Sequence, residues 1–164
     1  MLRSLVFILA LAIGFAVPAT AQQKVDFPKE GKYDVTRCWS GIANTIDFSK
    51  TYSAASCELT GTTRSNPPGG FLDMASFRCV GFNGTIDGKL SGMNMCEAVD
   101  QDGDKMFVRN IVEGPRNTLE AVAGTGKYEG IVRTGVNDSL GGFPAVKPGT
   151  LQGCGHGTGT YKMK

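Results

Sequence analysis

From Lys32 onward the chain alternates short apolar runs with Gly, Asn, Asp and Pro, and no stretch keeps a helical period with caps. The runs are rich in Val, Ile, Thr and aromatic residues, which suit a pleated, half-buried surface. They predict strands over Lys32–Gly41, Asn44–Phe48, Tyr52–Thr62, Met74–Phe82, Leu90–Val99, Lys105–Val112, Thr118–Ala123, Ile131–Val136 and Thr150–Met163. Asp87-Gly88 and Asp102-Gly103 have the residue pair that a tight hairpin turn needs, so each should join the strands on its two sides. Arg64–Gly70 reads as a loop, because its paired prolines cannot donate to a ladder. Asn137–Gly149 reads as a second long loop. The expected fold class is all-β.

The 23 glycines narrow this further. Many fall inside the strand-like runs, where glycine marks sharp bends or close packing, and small closed barrels need both.

The stretch Ala123–Gly130, AGTGKYEG, has the small residues and the lysine of a phosphate loop. Its spacing is wrong for one. No glycine stands at the required distance before Lys127, Tyr128 follows where Ser or Thr is needed, and strand-like residues follow instead of a helix. A turn is the better reading. In the wider segment LEAVAGTGKYEGIVRTG, Leu119–Gly135, Gly124 and Gly126 turn the chain, Tyr128 plugs the end and Ile131 begins the next strand. This segment resembles the strand–tight turn–strand of the allene oxide cyclase and dirigent barrels. There a Gly-x-Gly-x-aromatic turn follows one strand, and an aromatic-x-x-x-Gly stretch leads into the next. The resemblance implies a single antiparallel β-barrel of about eight strands with an apolar interior. No catalytic residue of those families matches a position here, so none is carried over.

Three other clusters carry possible chemistry. Asp100, Asp102 and Asp104 alternate as calcium ligands can, but the positions for the loop glycine and the bidentate glutamate hold Lys105 and Ile111. A solvated hairpin tip is expected. His156, the one histidine, lies two residues from Cys154 and shares its strand face, the geometry of a Cys/His nucleophile pair. A disulfide is the expected fate of Cys154 instead. With one histidine and no CxxC, no metal site is predicted, and nothing in the pattern demands a cofactor. In the last run Gly153, Gly155, Gly157 and Gly159 share one face, while Cys154, His156, Thr158 and Thr160 share the other. The glycine face should look inward. It leaves a groove that either Trp39 fills or a ligand uses. Candidate cavity residues are therefore Trp39, Tyr128, Gly153, Gly155, Gly157 and Gly159.

The first residues change where such a protein would work. Arg3 precedes an apolar run, Leu5–Val17, then Pro18 and Ala19-Thr20-Ala21. This predicts an export signal, residues 1–21, cut after Ala21, with Gln22–Lys164 as one domain in the periplasm or medium. The run is short for a membrane span, and no second one follows. The formal net charge is +2 and loses Arg3 with the signal, so no basic stripe argues for nucleic acid.

Export makes disulfides the default for the five cysteines. If Asp87-Gly88 is a two-residue loop, Cys79 lies directly opposite Cys96 at a non-hydrogen-bonded position, where a disulfide fits. Closing a barrel brings the first and last strands together, which predicts Cys38–Cys154 with both sulfurs outside, Trp39 over the glycine groove and Cys57 left over. Cys38–Cys57 is the competing pair. The expected function is a binding or structural module whose interior suits a small apolar ligand. A cyclase- or isomerase-like enzyme and an envelope protein used through its surface are the rivals. For an enzyme, Glu97 and Glu120 are the acids to inspect, although alternation points both towards water. The pattern is silent on oligomeric state.

Overall fold

A computed structural model describes residues 28–164, so the expected export signal lies outside the described residues. Eight strands follow one another: β1 (Glu30–Asp47), β2 (Ser53–Ser65), β3 (Ser76–Ile86), β4 (Lys89–Val99), β5 (Lys105–Glu113), β6 (Arg116–Gly124), β7 (Val132–Phe143) and β8 (Thr150–Lys162), with one 3-10 turn at Gly126–Tyr128. Each pairs antiparallel with the next, and β8 returns to β1, so the sheet closes into a barrel. Closure leaves no edge strand exposed.

Most predicted strand boundaries shift by a few residues, and two changes are larger. Lys32–Gly41 and Asn44–Phe48 are parts of one strand, β1. Gly41 does not break it. A Cβ there would sit 2.0 Å from the Glu58 carbonyl oxygen, so the glycine marks a close approach of β2. The loop predicted over Asn137–Gly149 is strand as far as Phe143, because β8 pairs along it across a register shift between Ser139 and Gly141.

Alternation divides the residues. Val35, Phe77, Met106, Val108 and Leu119 face in and are buried. Outside, Arg78–Glu58, Lys105–Glu97, Arg109–Glu120 and Arg116–Asp138 bridge neighbouring strands. Exposed pairs of this kind contribute at most about 1 kcal/mol each.

The β1–β8 seam explains the glycines of the last strand. Tyr33, Val35, Arg37 and Trp39 pair with Gly159, Gly157, Gly155 and Gly153. Large inward side chains on one strand thus meet bare positions on the next. Cys38 pairs with Cys154 in the same register, and their disulfide lies on the outside, with 4.1 Å between Cα atoms. The second disulfide, Cys79–Cys96, points inward, with Cα atoms 4.0 Å apart. It is set by the hairpin. Ile86 pairs with Lys89, the register runs unbroken to Cys79–Cys96, and Asp87 and Gly88 both have the positive φ of the tight turn.

Candidate functional site

The two ends of the barrel differ. At one end lie the loops 66–75, 100–104 and 125–131, together with the start of β1 and the end of β8. Phe71 and Leu72 fold inward from the first of these loops, and Tyr128 and Ile131 from the third. The Phe71 ring stacks on Tyr161 at 4.1 Å and meets Tyr128 edge-on at 6.1 Å and Tyr33 tilted at 5.6 Å. This aromatic plug seals the barrel. Asp73 holds its loop in place: its carboxylate accepts the backbone N–H groups of Ser65 (2.9 Å) and Gly69 (2.8 Å).

The other end is open. β3 and β4, and β5 and β6, are joined by two-residue turns there, too short to fold inward. A cavity of about 410 Å³ opens at this end. Trp39, Leu59, Phe77, Val112, Leu119 and Leu151 supply its apolar wall. Asn83, Asn94, Asn110, Asn117 and Asn137 add a set of amides, with Ala43, Leu90 and Pro115 near the mouth. β1 runs from the sealed end to the open one, so its inward residues Tyr33, Val35, Arg37, Trp39 and Ala43 mark increasing height. Arg37 is accordingly on the cavity floor.

That floor is the feature alternation could have revealed and composition could not. Arg37 shares a strand face with Val35 and Trp39, and only 8% of it is exposed. Its guanidinium lies 4.8 Å over the Phe77 ring. Burial, and then the neighbouring Arg133, push its pKa down to about 10, so it remains a cation at neutral pH. Arg133 is deeper, 1% exposed and 4.6 Å over the Tyr33 ring. Among the described residues none of its side-chain nitrogens makes a well-formed hydrogen bond, and the Tyr33 hydroxyl is the polar group beside it. Burial lowers its pKa, and the Tyr33 hydroxyl works in the opposite sense. A gap of about 10 Å³ lies between the two arginines, about the space for one water molecule.

Cys57 also lines the cavity. Its thiol donates to Asn94 Oδ1 (3.2 Å) and accepts from Asn83 Nδ2 (3.2 Å). Burial raises its pKa, with Asn83 partly offsetting, so the thiol stays protonated at neutral pH.

The residues singled out from sequence are distributed among these features. Trp39 lines the cavity. Tyr128 is in the plug at the opposite end, where burial first and then the Asp100 charge push its hydroxyl pKa up. The glycine stripe is covered by the chain's own side chains: Trp39 lies against Gly153, Asn137 against Gly155, Val35 and Arg37 against Gly157, and Tyr33 against Gly159. Cys154 is oxidised, and His156 Nε2 lies 2.9 Å from Asp34 Oδ1 on the outer face. Glu97 and Glu120 are both in outer ion pairs.

The phosphate-loop and calcium-loop look-alikes turn out to answer each other. Lys127 Nζ sits 2.7 Å from Asp100 Oδ2 and 2.5 Å from Asp102 Oδ2, and Asp104 Oδ2 accepts the Lys127 backbone N–H at 3.2 Å. The lysine supplies the cation of the acidic turn. Asp100 Oδ1 meanwhile accepts the N–H groups of Asp102 and Asp104, which shapes that turn.

No helix among the described residues is long and apolar enough to cross a membrane. No protein-family model matches the chain, and no curated protein sequence matches it. Among solved structures, that of the pterocarpan synthase dirigent protein GePTS1 is similar in fold, with a TM-score of 0.49 and 9% identity over 90% of this chain and 100% of that one.

Proposed function

We propose that this barrel is an exported binding module that takes one small, mainly apolar molecule through its open end. The observation that carries this reading is the cavity itself. Its volume of about 410 Å³ is within the range of small-molecule sites, roughly 300–1,000 Å³. Its wall is apolar with a few fixed polar groups, the usual composition of such sites. The sealed end supports the same reading, because a plug makes a pocket of what would otherwise be a tube.

Binding fits the interior better than the cyclase- or isomerase-like alternative. Acid–base chemistry near neutral pH needs a group that titrates there. Among the described residues no carboxylate or histidine lines the cavity, Cys57 holds its proton and Arg37 keeps its charge. Use of the outer surface is supported by one observation: Val80, Phe82, Met93 and Met95 form an exposed apolar patch on the outside of β3 and β4.

Trp39 is the one tryptophan in the chain, so its fluorescence reports on the cavity without a label. Titration with the neutral probe N-phenyl-1-naphthylamine should change Trp39 emission saturably, at about one probe per chain. Trp39 emission unmoved by the probe at any concentration it reaches in solution would refute the binding reading and leave the outer patch as the surface to test.

A further inference from the structure

The cavity floor carries charge that the barrel does not balance. Arg37 and Arg133 are both buried, Arg37 remains a cation at neutral pH, and Arg133 is close enough to lower the Arg37 pKa. The carboxylates that form ion pairs among the described residues are on the outside of the barrel or in its end turns, and no Asp or Glu lines either the cavity or the gap beneath it. A buried charge without a partner is costly, and two of one sign are costlier. Stacking on Phe77 and Tyr33 offsets part of this, since an arginine over a ring is attracted by the ring's negative face. Stacking does not use the in-plane N–H donors, and among the described residues those of Arg133 meet only the Tyr33 hydroxyl, without a well-formed hydrogen bond. Arg37 alone of the two reaches the open cavity.

We propose that the ligand is an amphiphile with one anionic end, a carboxylate, that descends to the Arg37 guanidinium while its apolar body remains between Trp39, Leu59, Phe77 and Leu119. This rests on the reading of the barrel as a binding module. A carboxylate matches the fork of guanidinium donors, and a planar pair of parallel hydrogen bonds forms in one orientation only. The anion also relieves the repulsion between Arg37 and Arg133, so the site attracts it more strongly than a single arginine would. The geometry fixes polarity: head down on the floor, tail towards the mouth, where Leu90 and Pro115 are apolar.

The test compares three ligands of one length, decanoate, decanol and decyltrimethylammonium, by Trp39 fluorescence at neutral pH, with N-phenyl-1-naphthylamine as the displaced neutral probe. Decanoate is expected to bind about tenfold or more tighter than decanol, and the cation weakest. Arg37→Gln should reduce the preference for decanoate over decanol to near unity, and Arg37→Lys should keep part of it. Circular dichroism confirms that each variant retains its strands. Should Arg37→Gln fail to fold, the wild-type ranking decides the matter alone. Decanol binding as tightly as decanoate overturns the anion inference and leaves the cavity reading standing. Equal loss of decanoate and decanol in Arg37→Gln also overturns it. If none of the three ligands binds and the neutral probe does not bind either, the cavity reading itself is lost.

Discussion

The sealed and open ends of the barrel are built from the same alternating strands, yet one is solid and the other hollow. The difference is in the connections. Loops 66–75 and 125–131 are long enough to turn their tips inward, and they carry Phe71, Leu72, Tyr128 and Ile131. The open end has the tight turns Asp87-Gly88 and Gly114-Pro115, and its longer connections, residues 48–52 and 144–149, stay exposed at the rim instead of folding inward. The plug loop is also strained: Leu72 and Met74 have positive φ, which costs a residue with a side chain about 1–2 kcal/mol. That strain is held by the burial of Phe71 and Leu72 and by the Asp73 hydrogen bonds. A barrel can thus fill its core unevenly, closing one end with buried side chains and leaving the other as a vessel.

The seam between β1 and β8 belongs to both ends, so its loss should be the most damaging change. The Cys38–Cys154 bridge closes a loop with a sequence separation of 116. In the chain-entropy picture a loop near that length restricts the unfolded chain by about 4.7 kcal/mol. The Cys79–Cys96 bridge, at a separation of 17, restricts it by about 3 kcal/mol. Replacing each pair by serines and unfolding in urea should give losses in that order. Equal losses would mean that the seam holds without its bridge.

Next in size is a direct comparison of the ends. Phe71→Ala removes a buried ring from the plug and should cost about 4 kcal/mol. Leu90→Ala, at the open mouth where Leu90 is 44% exposed, should cost less than about 1 kcal/mol. Urea denaturation of the two variants measures the gap. Similar losses would show that the open end is packed as firmly as the sealed one.

Asp73 offers a smaller and pH-dependent version of the same test. Burial alone would raise its pKa, but the N–H groups of Gly69, Ser65 and Met74 and the charge of Arg64 outweigh it and hold the carboxyl below its ordinary value. The folded state therefore prefers the anion. The stabilisation is fully present above the unfolded value near 3.8 and is lost as pH falls through the lower folded one. Asp73→Asn should cost about 1 kcal/mol at neutral pH, for weakened hydrogen bonds. Its disadvantage should shrink as the wild type is acidified below pH 4. Stability curves from pH 2 to 7 would show this as convergence, and parallel curves would contradict it.

Much of the barrel was legible before any coordinates. The Asp-Gly turn fixed the β3–β4 register, and with it Cys79–Cys96, because a two-residue loop leaves no freedom in pairing. Closure and the polar faces around Cys38 and Cys154 placed the seam. The cavity floor is harder to see in the sequence, although its signal is present: Arg37 lies between Val35 and Trp39 on one strand face, and Arg133 lies two residues after Ile131. An arginine is ordinarily assigned to solvent, and parity was outweighed by residue type. The glycine stripe suggested a gap because period-two alternation shows which residues face inward, not what the neighbouring strand places over them. Tyr33 and Trp39 fill it from β1. The depth of the open end is likewise a property of eight strands at once, and no single segment encodes it.

The smallest effect expected is on stability and the most local is on access. Cys57 contacts the open cavity, and reagent must reach it through the mouth. Only the thiolate reacts with iodoacetamide, and burial raises the Cys57 pKa, so alkylation at pH 8 should be slower than that of an unstructured cysteine. The rate should climb with pH through a midpoint above the ordinary thiol value. Ala43→Trp, which narrows the mouth, should slow labelling further with little change in fold, since Ala43 borders open space there. Phe71→Ala, at the far end, should leave the rate unchanged in conditions where the variant is folded, because the plug does not guard this thiol. Mass spectrometry of the alkylated peptide reads all three rates. Labelling accelerated by Phe71→Ala and indifferent to Ala43→Trp would reverse the assignment of the two ends, making the plug the gate and the mouth the wall.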